Sequence, residues 1–105
     1  MRKAEVYYNT KLAGYLFENN GKYFFKYYEQ YLLDITNPSI SLTFPKSKGV
    51  FVSKNLFPFF FGLLSEGENR KIQCEKLKIK DNDYFDMLLK TSSRDTAGGI
   101  TVKEL

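Results

Sequence analysis

The chain has 105 residues, of which 43% are hydrophobic and 17% aromatic, and its net charge is +4. So many large apolar residues exclude a disordered segment, and we expect one folded domain covering residues 1–105. The longest apolar stretch, 56–64, is far shorter than the roughly 20 residues that cross a bilayer, and no apolar signal-peptide core follows Met1. The single cysteine, Cys74, excludes an internal disulfide and favours the reducing cytoplasm.

The first part of the chain has the pattern of a three-stranded antiparallel meander. Alternating apolar residues predict strands at 3–8 and 12–17, and a ring-rich strand is predicted at 22–28. The cluster 18–21, Glu-Asn-Asn-Gly, predicts a tight turn because Asn and Gly accept positive φ. The expected buried face of the second strand consists of Leu12, Gly14 and Leu16.

A further strand is predicted at 39–44, after a single helical turn at 29–34. In this segment Ile40, Leu42 and Phe44 alternate with Ser41 and Thr43, which is typical of one buried and one exposed face. Prolines bracket the segment at 38 and 45, and a loop is expected at 46–49.

Helical patterns begin at about residue 53. Ser53 or Asn55 is expected to cap a helix that ends at 62–64, with Pro58 in its first turn. The Ser65/Glu68 spacing predicts a capping box for a helix at about 66–78. Asp81 is expected to cap a third helix, which carries an apolar stripe, and a short strand is predicted at 100–102. The stripe consists of Tyr84, Phe85, Leu88 and Leu89.

These elements predict an α+β fold with a small antiparallel sheet of four or five strands, drawn from 3–44 and 99–103. Two or three short helices between 53 and 91 are expected to pack against it. The predicted core includes Ile40, Leu42, Phe44, Phe85, Leu88 and Leu89.

Catalytic chemistry is poorly represented in this sequence. There is no histidine, which removes the commonest general base and metal ligand, and one cysteine cannot form a thiolate zinc site. No glycine-rich phosphate loop occurs. Asp81, Asp83 and Asp86 have the spacing of a helix N-terminus more than that of a cation site. We therefore expect no catalytic residue, no cofactor and no metal.

Two aromatic clusters suggest binding instead. The rings of the predicted third strand, with Lys22 and Lys26, resemble a base-stacking platform, although a central strand with rings on both faces has the same composition. Residues 1–60 contain eight basic and four acidic side chains, which would suit nucleic acid but also an ordinary soluble surface. Four phenylalanines in 57–61 cannot all face one small core, so at least one is expected to contact a partner protein.

Several segments together resemble the N-terminal subdomain of HipA-type serine/threonine kinase toxins. They are 38–45 (PSISLTFP), 59–68 (FFFGLLSEGE), 85–89 (FDMLL), 94–101 (RDTAGGIT) and the opening hairpin 6–16. The resemblance implies a domain that precedes a kinase core in its family, and the kinase core is absent from this chain. It is also similar to the stand-alone small protein of HipB, HipS and HipT systems, in which such a domain binds a shortened kinase as an antitoxin. Ser65 stands where the family usually has proline.

We therefore expect a non-catalytic antitoxin that docks on a HipA-like, HipT-type kinase through the segment 59–70, and a HipB-like DNA-binding protein is a candidate third component. The expected contact residues are Phe59, Phe60, Phe61, Leu64, Ser65, Glu66, Gly67, Glu68 and Arg70. One alternative is a nucleic-acid-binding accessory module that uses the ring-rich third strand. Another is a fragment of a full-length toxin.

Overall fold

The computed structural model describes residues 2–64, 67–80, 83–92 and 99–105. These residues form a five-stranded antiparallel sheet and four short helices, so the predicted α+β fold is confirmed. In chain order the elements are β1 Arg2–Tyr8, β2 Lys11–Asn19, β3 Lys22–Tyr27, α1 Glu29–Leu33, β4 Val50–Ser53, α2 Pro58–Phe61, α3 Gly67–Leu77, α4 Tyr84–Thr91 and β5 Ile100–Glu104. The strand order is β4-β3-β2-β1-β5.

The β2–β3 hairpin turns where the sequence predicts it. Asn20 has φ 53° and Gly21 has φ 77°, and positive φ at both central residues matches the right-handed twist of the flanking strands. The last pair of the ladder, Asn19 opposite Lys22, closes the two-residue loop.

A bulge in β2 corrects the predicted face of that strand. Val6 pairs with Gly14 while Tyr7 pairs with Leu12, so Ala13 is an extra residue in the ladder. Gly14 and Leu16 lie on the buried face as predicted, but the bulge moves Leu12 to the opposite face, where it is half-buried. A Cβ at Gly14 would collide with the carbonyl oxygen of Lys26, so the close approach of β2 and β3 requires glycine.

The predicted strand 39–44 is wrong, because these residues form a loop around the hydroxyl group of Tyr27. That hydroxyl accepts the N–H of Ile40 at 3.0 Å and donates to the carbonyl of Phe44. The N–H of Phe44 donates to the carbonyl of Ser41 at 3.0 Å, which closes a turn. The hydroxyl group of Tyr27 thus satisfies two backbone groups of this segment that a neighbouring strand would otherwise bond.

The loop also changes which residues are core. Ile40 and Phe44 are buried as predicted, but Leu42 lies at the tip of the turn and is 100% exposed, so its assignment to the core is wrong. The strand that pairs with β3 is instead β4, in which Phe51 lies opposite Phe25. No strand was predicted at 50–53.

The helix caps differ from the predicted ones. Ser53 belongs to β4, and α2 begins at Pro58 with Phe57 in the cap position and no side-chain cap, so neither Ser53 nor Asn55 caps it. Helix α4 is capped by Asp83, which accepts the N–H of Asp86 at 3.2 Å, and not by Asp81. Residues 65 and 66 lie outside the described residues, and with them the predicted capping box.

The helices pack on the face of the sheet that Ala4, Leu16, Phe25 and Phe51 share by register. Phe85, Leu88 and Leu89 of α4 are buried there, as the apolar stripe predicts. Helix α3 buries Cys74 and leaves Ile72 and Leu77 substantially exposed. No helix within the described ranges is long and apolar enough to span a membrane. The other face of the sheet carries Tyr15, Phe17 and Phe24 with several lysines.

Candidate protein-binding surface

The segment 57–61, which is helix α2 with its cap residue, places four phenylalanine rings in different environments. Phe60 is fully buried, with its ring centroid 5.7 Å from those of both Phe25 and Phe44. Phe57 is also buried, and Phe59 is half-buried with its ring edge-on to that of Phe60. Since successive residues of a helix are about 100° apart, they cannot all face the sheet.

Phe61 is the ring that faces outward. It is 36% exposed, and its ring meets that of Tyr84 edge-on at a centroid distance of 5.0 Å. Tyr84 is the first residue of α4, so the pair joins the end of α2 to the start of α4. The ring is held in place by this contact while part of its surface stays accessible.

A cleft of about 500 Å³ lies beside this pair, between the β2–β3 hairpin and the segment that leads into α2. Its lining combines apolar and polar groups. The lining residues are Glu18, Gly21, Tyr23, Lys54, Asn55, Leu56, Phe61 and Tyr84. Such a mixture of rings with a few polar groups is typical of a site that receives a partner side chain.

Arg2 fixes one wall of this region. Its guanidinium donates to Glu18 at 2.8 and 3.0 Å and to both carboxylate oxygens of Asp83 at 2.8 and 3.0 Å, and it lies 5.1 Å from the centre of the Phe85 ring. Burial acts to lower the pKa of Arg2, but the hydrogen bonds to Asp83 and Glu18 outweigh it and raise this pKa above the ordinary value. Arg2 therefore ties β1 and β2 to the N-terminus of α4.

The hydroxyl group of Tyr23 lies in the same polar network. Burial, followed by the negative charge of Glu18, raises the pKa of Tyr23 above its ordinary value. The ring of Tyr23 packs against that of Phe85, with 5.8 Å between centroids. The phenol thus stays neutral and can donate or accept a hydrogen bond at the wall of the cleft.

The expected contact residues occupy contrasting positions. Phe61 is exposed and Phe59 half-buried, whereas Phe60 and Leu64 are buried in the chain's own core. Ser65 and Glu66 lie outside the described residues. Gly67, Glu68 and Arg70 belong to α3, and their side chains are not among those described.

Sequence reasoning did not connect Tyr84, Tyr23 and Lys54 with the surface around Phe61. The apolar spacing places Tyr84 in the stripe of α4, and no local pattern in the sequence separates it from the other residues of that stripe. Tyr23 and Lys54 come to the cleft only through the pairing of β3 with β4, in which Tyr23 lies opposite Ser53.

The ring-rich third strand is divided between the two faces of the sheet. Phe25 and Tyr27 are buried, and Tyr23 packs against α4. On the open face Phe24 stacks on Phe17 at 5.0 Å, so each ring covers one face of the other. β3 therefore presents far less free ring surface than its composition suggests.

The acidic residues near α4 are engaged in protein contacts. Asp83 caps the helix and forms a salt bridge with Arg2. The carboxylate of Asp86 forms a salt bridge with the ammonium group of Lys90 at 3.0 Å. Among the described residues no group of three or more His, Cys, Asp or Glu side chains is placed to hold a metal ion, and Asp81 lies outside them.

The geometry is that of a small α+β domain in which an exposed ring lies beside a cleft of mixed polarity. Comparison with known sequences identifies the family. The sequence profile of the HipA N-terminal domain matches residues 4–103, and the chain belongs to this family. A solved structure described as the N-terminal domain of HipA toxin superposes with a TM-score of 0.72 at 24% identity, over 100% of this chain and 93% of that one.

Two curated proteins are similar to this chain. "Putative kinase Y4dM" of Sinorhizobium fredii is 33% identical over 89 residues, which cover 79% of this chain and 22% of that protein. An uncharacterized protein of Haemophilus influenzae is 27% identical over 104 residues, covering 99% of this chain and 93% of that protein. The chain thus spans about a fifth of the kinase relative and nearly all of the second relative.

Proposed function

We propose that this domain is a non-catalytic toxin–antitoxin component that binds and inhibits a HipA-like kinase of the HipT type in the cytoplasm. A HipB-like DNA-binding protein is the proposed third component. The observation that carries the proposal is the outward ring of Phe61, which Tyr84 holds edge-on at 5.0 Å beside a cleft of about 500 Å³. Exposed, preorganised aromatic rings are the side chains that dominate protein–protein affinity.

The relatives support a kinase as the partner. In a relative named as a kinase, the similar segment makes up about a fifth of the chain. A second relative has nearly the length of this chain. We propose that the corresponding domain of the kinase relative contacts its own kinase, and that the same surface of this chain binds a HipA-like kinase in trans.

We assign a separate role to each part of the segment 59–70. Phe61 is the anchor that enters a pocket of the kinase, and Phe59 extends its apolar contact. Glu66, Glu68 and Arg70, which follow α2 in the sequence, are the charged residues proposed to adjust the association rate and its salt dependence. Phe60 and Leu64 act from within, because they hold α2 against the sheet.

The test is a binding measurement between purified domain and a HipA-like kinase, together with the rate of kinase autophosphorylation. Phe61→Ala is expected to weaken binding by about 2 kcal/mol, or roughly thirtyfold in Kd, and to relieve inhibition to the same extent. Ile35→Ala is the matched control, since Ile35 is 93% exposed on a different segment.

Each variant is first compared with the wild type by thermal unfolding. A Phe61→Ala variant that remains folded and still binds and inhibits like the wild type would place the interface elsewhere. Wild-type binding without any change in autophosphorylation would retain the partner and remove the inhibitory role.

A further inference from the structure

Strand β4 is an edge strand with one side of its backbone open. β3 pairs with it on the other side, and just before β4 the backbone N–H of Tyr27 donates to the carbonyl of Gly49 at 2.9 Å. Because hydrogen-bonded pairs alternate in an antiparallel ladder, Phe51 and Ser53 bond to β3, whereas the N–H and C=O groups of Val50 and Val52 point away from it. No partner for these groups is present among the described residues.

The two edges of the sheet are protected differently. β5 carries two exposed charged residues, Lys103 and Glu104, which discourage the pairing of a further strand. β4 has the sequence Val-Phe-Val-Ser. The side chains of Val50 and Val52 lie on the open face of the sheet, and these residues are 45% and 57% exposed. Strand β4 itself contains neither a charge nor a proline.

An apolar cleft of about 210 Å³ runs beside this open edge. Most of its lining consists of rings and aliphatic groups, with one lysine. The lining residues are Thr43, Phe44, Lys48, Phe51, Val52, Phe57 and Pro58. The cleft has room for one large apolar side chain next to the backbone of β4.

The surroundings of the edge are positively charged. Residues 35–64 contain three lysines and no acidic residue. Lys48 and Lys54 lie before and after β4, and Lys26 lies opposite Val50 on the open face of the sheet. None of these three lysines forms a salt bridge with a described carboxylate, and Lys48 lies over the ring of Phe51 at 5.5 Å.

We infer that the β4 edge binds an extended acidic segment of a partner protein, which adds to the sheet as a sixth strand. The backbone of the segment bonds to the outward groups of Val50 and Val52, and one large apolar side chain enters the cleft. Its acidic side chains face Lys26, Lys48 and Lys54. This surface shares Lys54 with the cleft beside Phe61, but its free backbone groups and its apolar cleft are distinct, and the inference does not depend on the kinase proposal.

A peptide fits this surface better than a single-stranded nucleic acid does. The free groups are the alternating donors and acceptors of a strand, which match another strand. The rings at the cleft, Phe44, Phe51 and Phe57, are all buried, so they offer little face for a base to stack on.

The probe is a fluorescein-labelled, end-blocked heptapeptide with the sequence Glu-Val-Glu-Phe-Glu-Val-Glu, titrated into the full chain. Saturable binding is expected, and it should weaken at least tenfold in Val52→Pro, which removes one outward N–H that β3 does not use. Val52→Thr retains that N–H and should bind like the wild type. Lys48→Glu and Lys54→Glu should each weaken binding, whereas Lys76→Glu on α3 should not.

A second measurement uses only the wild-type chain, so it does not rely on any variant folding. Saturating peptide is expected to slow hydrogen exchange at the amides of Val50 and Val52, and to leave β5 unchanged. Absence of saturable binding, or binding without protection of these two amides, would overturn the inference. So would displacement of the peptide by a short oligothymidylate that binds more tightly, because the site would then prefer nucleic acid.

Discussion

Helix α2 and the loop 38–46 both bury large side chains and present one apolar side chain outward, but they do so by different means. In α2 the rings are fixed by helical geometry, and the outward Phe61 rests against Tyr84. In the loop the backbone is fixed by the hydroxyl of Tyr27, and the outward Leu42 is 100% exposed. The difference indicates that an exposed apolar residue is a binding candidate when its neighbours hold it in a defined position, as they hold Phe61.

The largest expected effect separates the two sides of α2. Phe60→Ala should lower the free energy of unfolding by about 3–5 kcal/mol, because the fully buried ring would leave a cavity against Phe25 and Phe44. Phe61→Ala should cost less than about 1.5 kcal/mol, since that ring is partly in water already. Urea unfolding of both variants checks this, and equal losses would contradict the assignment of inward and outward rings.

An intermediate effect is expected at the loop, where Tyr31 donates a hydrogen bond to the carbonyl of Pro38 at 2.7 Å. Burial, followed by the nearby Tyr27, raises the pKa of Tyr31 from 10.0 to about 12. The folded state therefore holds the neutral phenol, so stability is complete below pH 10 and falls as the pH rises towards about 12. The expected loss is about 2 kcal/mol in the free energy of unfolding.

Chemical denaturation at a series of alkaline pH values measures this loss, and Tyr31→Phe is the control. The variant lacks the ionisable group, so its stability should depend less steeply on pH in this range. An equally steep decline in the variant would assign the alkaline loss to other groups, of which Tyr27 also has a pKa raised by burial.

The smallest effect is expected at the tip of the loop. Leu42→Ala should change the free energy of unfolding by less than about 0.5 kcal/mol, because the side chain is in water in the folded state as well. Leu88→Ala, at a fully buried position of α4, should cost about 2–5 kcal/mol. Thermal unfolding of the pair distinguishes them, and a large loss for Leu42→Ala would restore the strand predicted at 39–44.

Features set by neighbouring residues were predicted well. The turn at Asn20 and Gly21 depends on the φ preferences of those two residues, and the buried stripe of α4 depends on helical spacing. Features set by distant residues were missed. The alternation in 39–44 indicated a strand, but the fold of this segment is decided by Tyr27, which lies on another strand. Likewise the cap of α4 falls at Asp83, which also binds Arg2 from the far end of the sequence.

In the candidate surface, too, only the features that depend on neighbouring residues could be predicted from the sequence. Helical spacing indicates that one of the rings in α2 must face outward, and this holds for Phe61. The identity of its neighbours depends on how α4 and the β2–β3 hairpin pack beside α2. That packing places Tyr84 and Tyr23 at the cleft, and no local pattern records it.

The pairing of β5 with β1 has a consequence for how the domain is made. Ala4 lies opposite Glu104 and Tyr8 opposite Ile100, so the two strands come from opposite ends of the sequence. β1 is translated well before β5, and bringing such distant segments together is entropically slow. Val6 has no strand on the β5 side until Val102 has emerged. During translation the growing chain therefore exposes the β1 edge, and this is where a nascent-chain chaperone would find unprotected backbone.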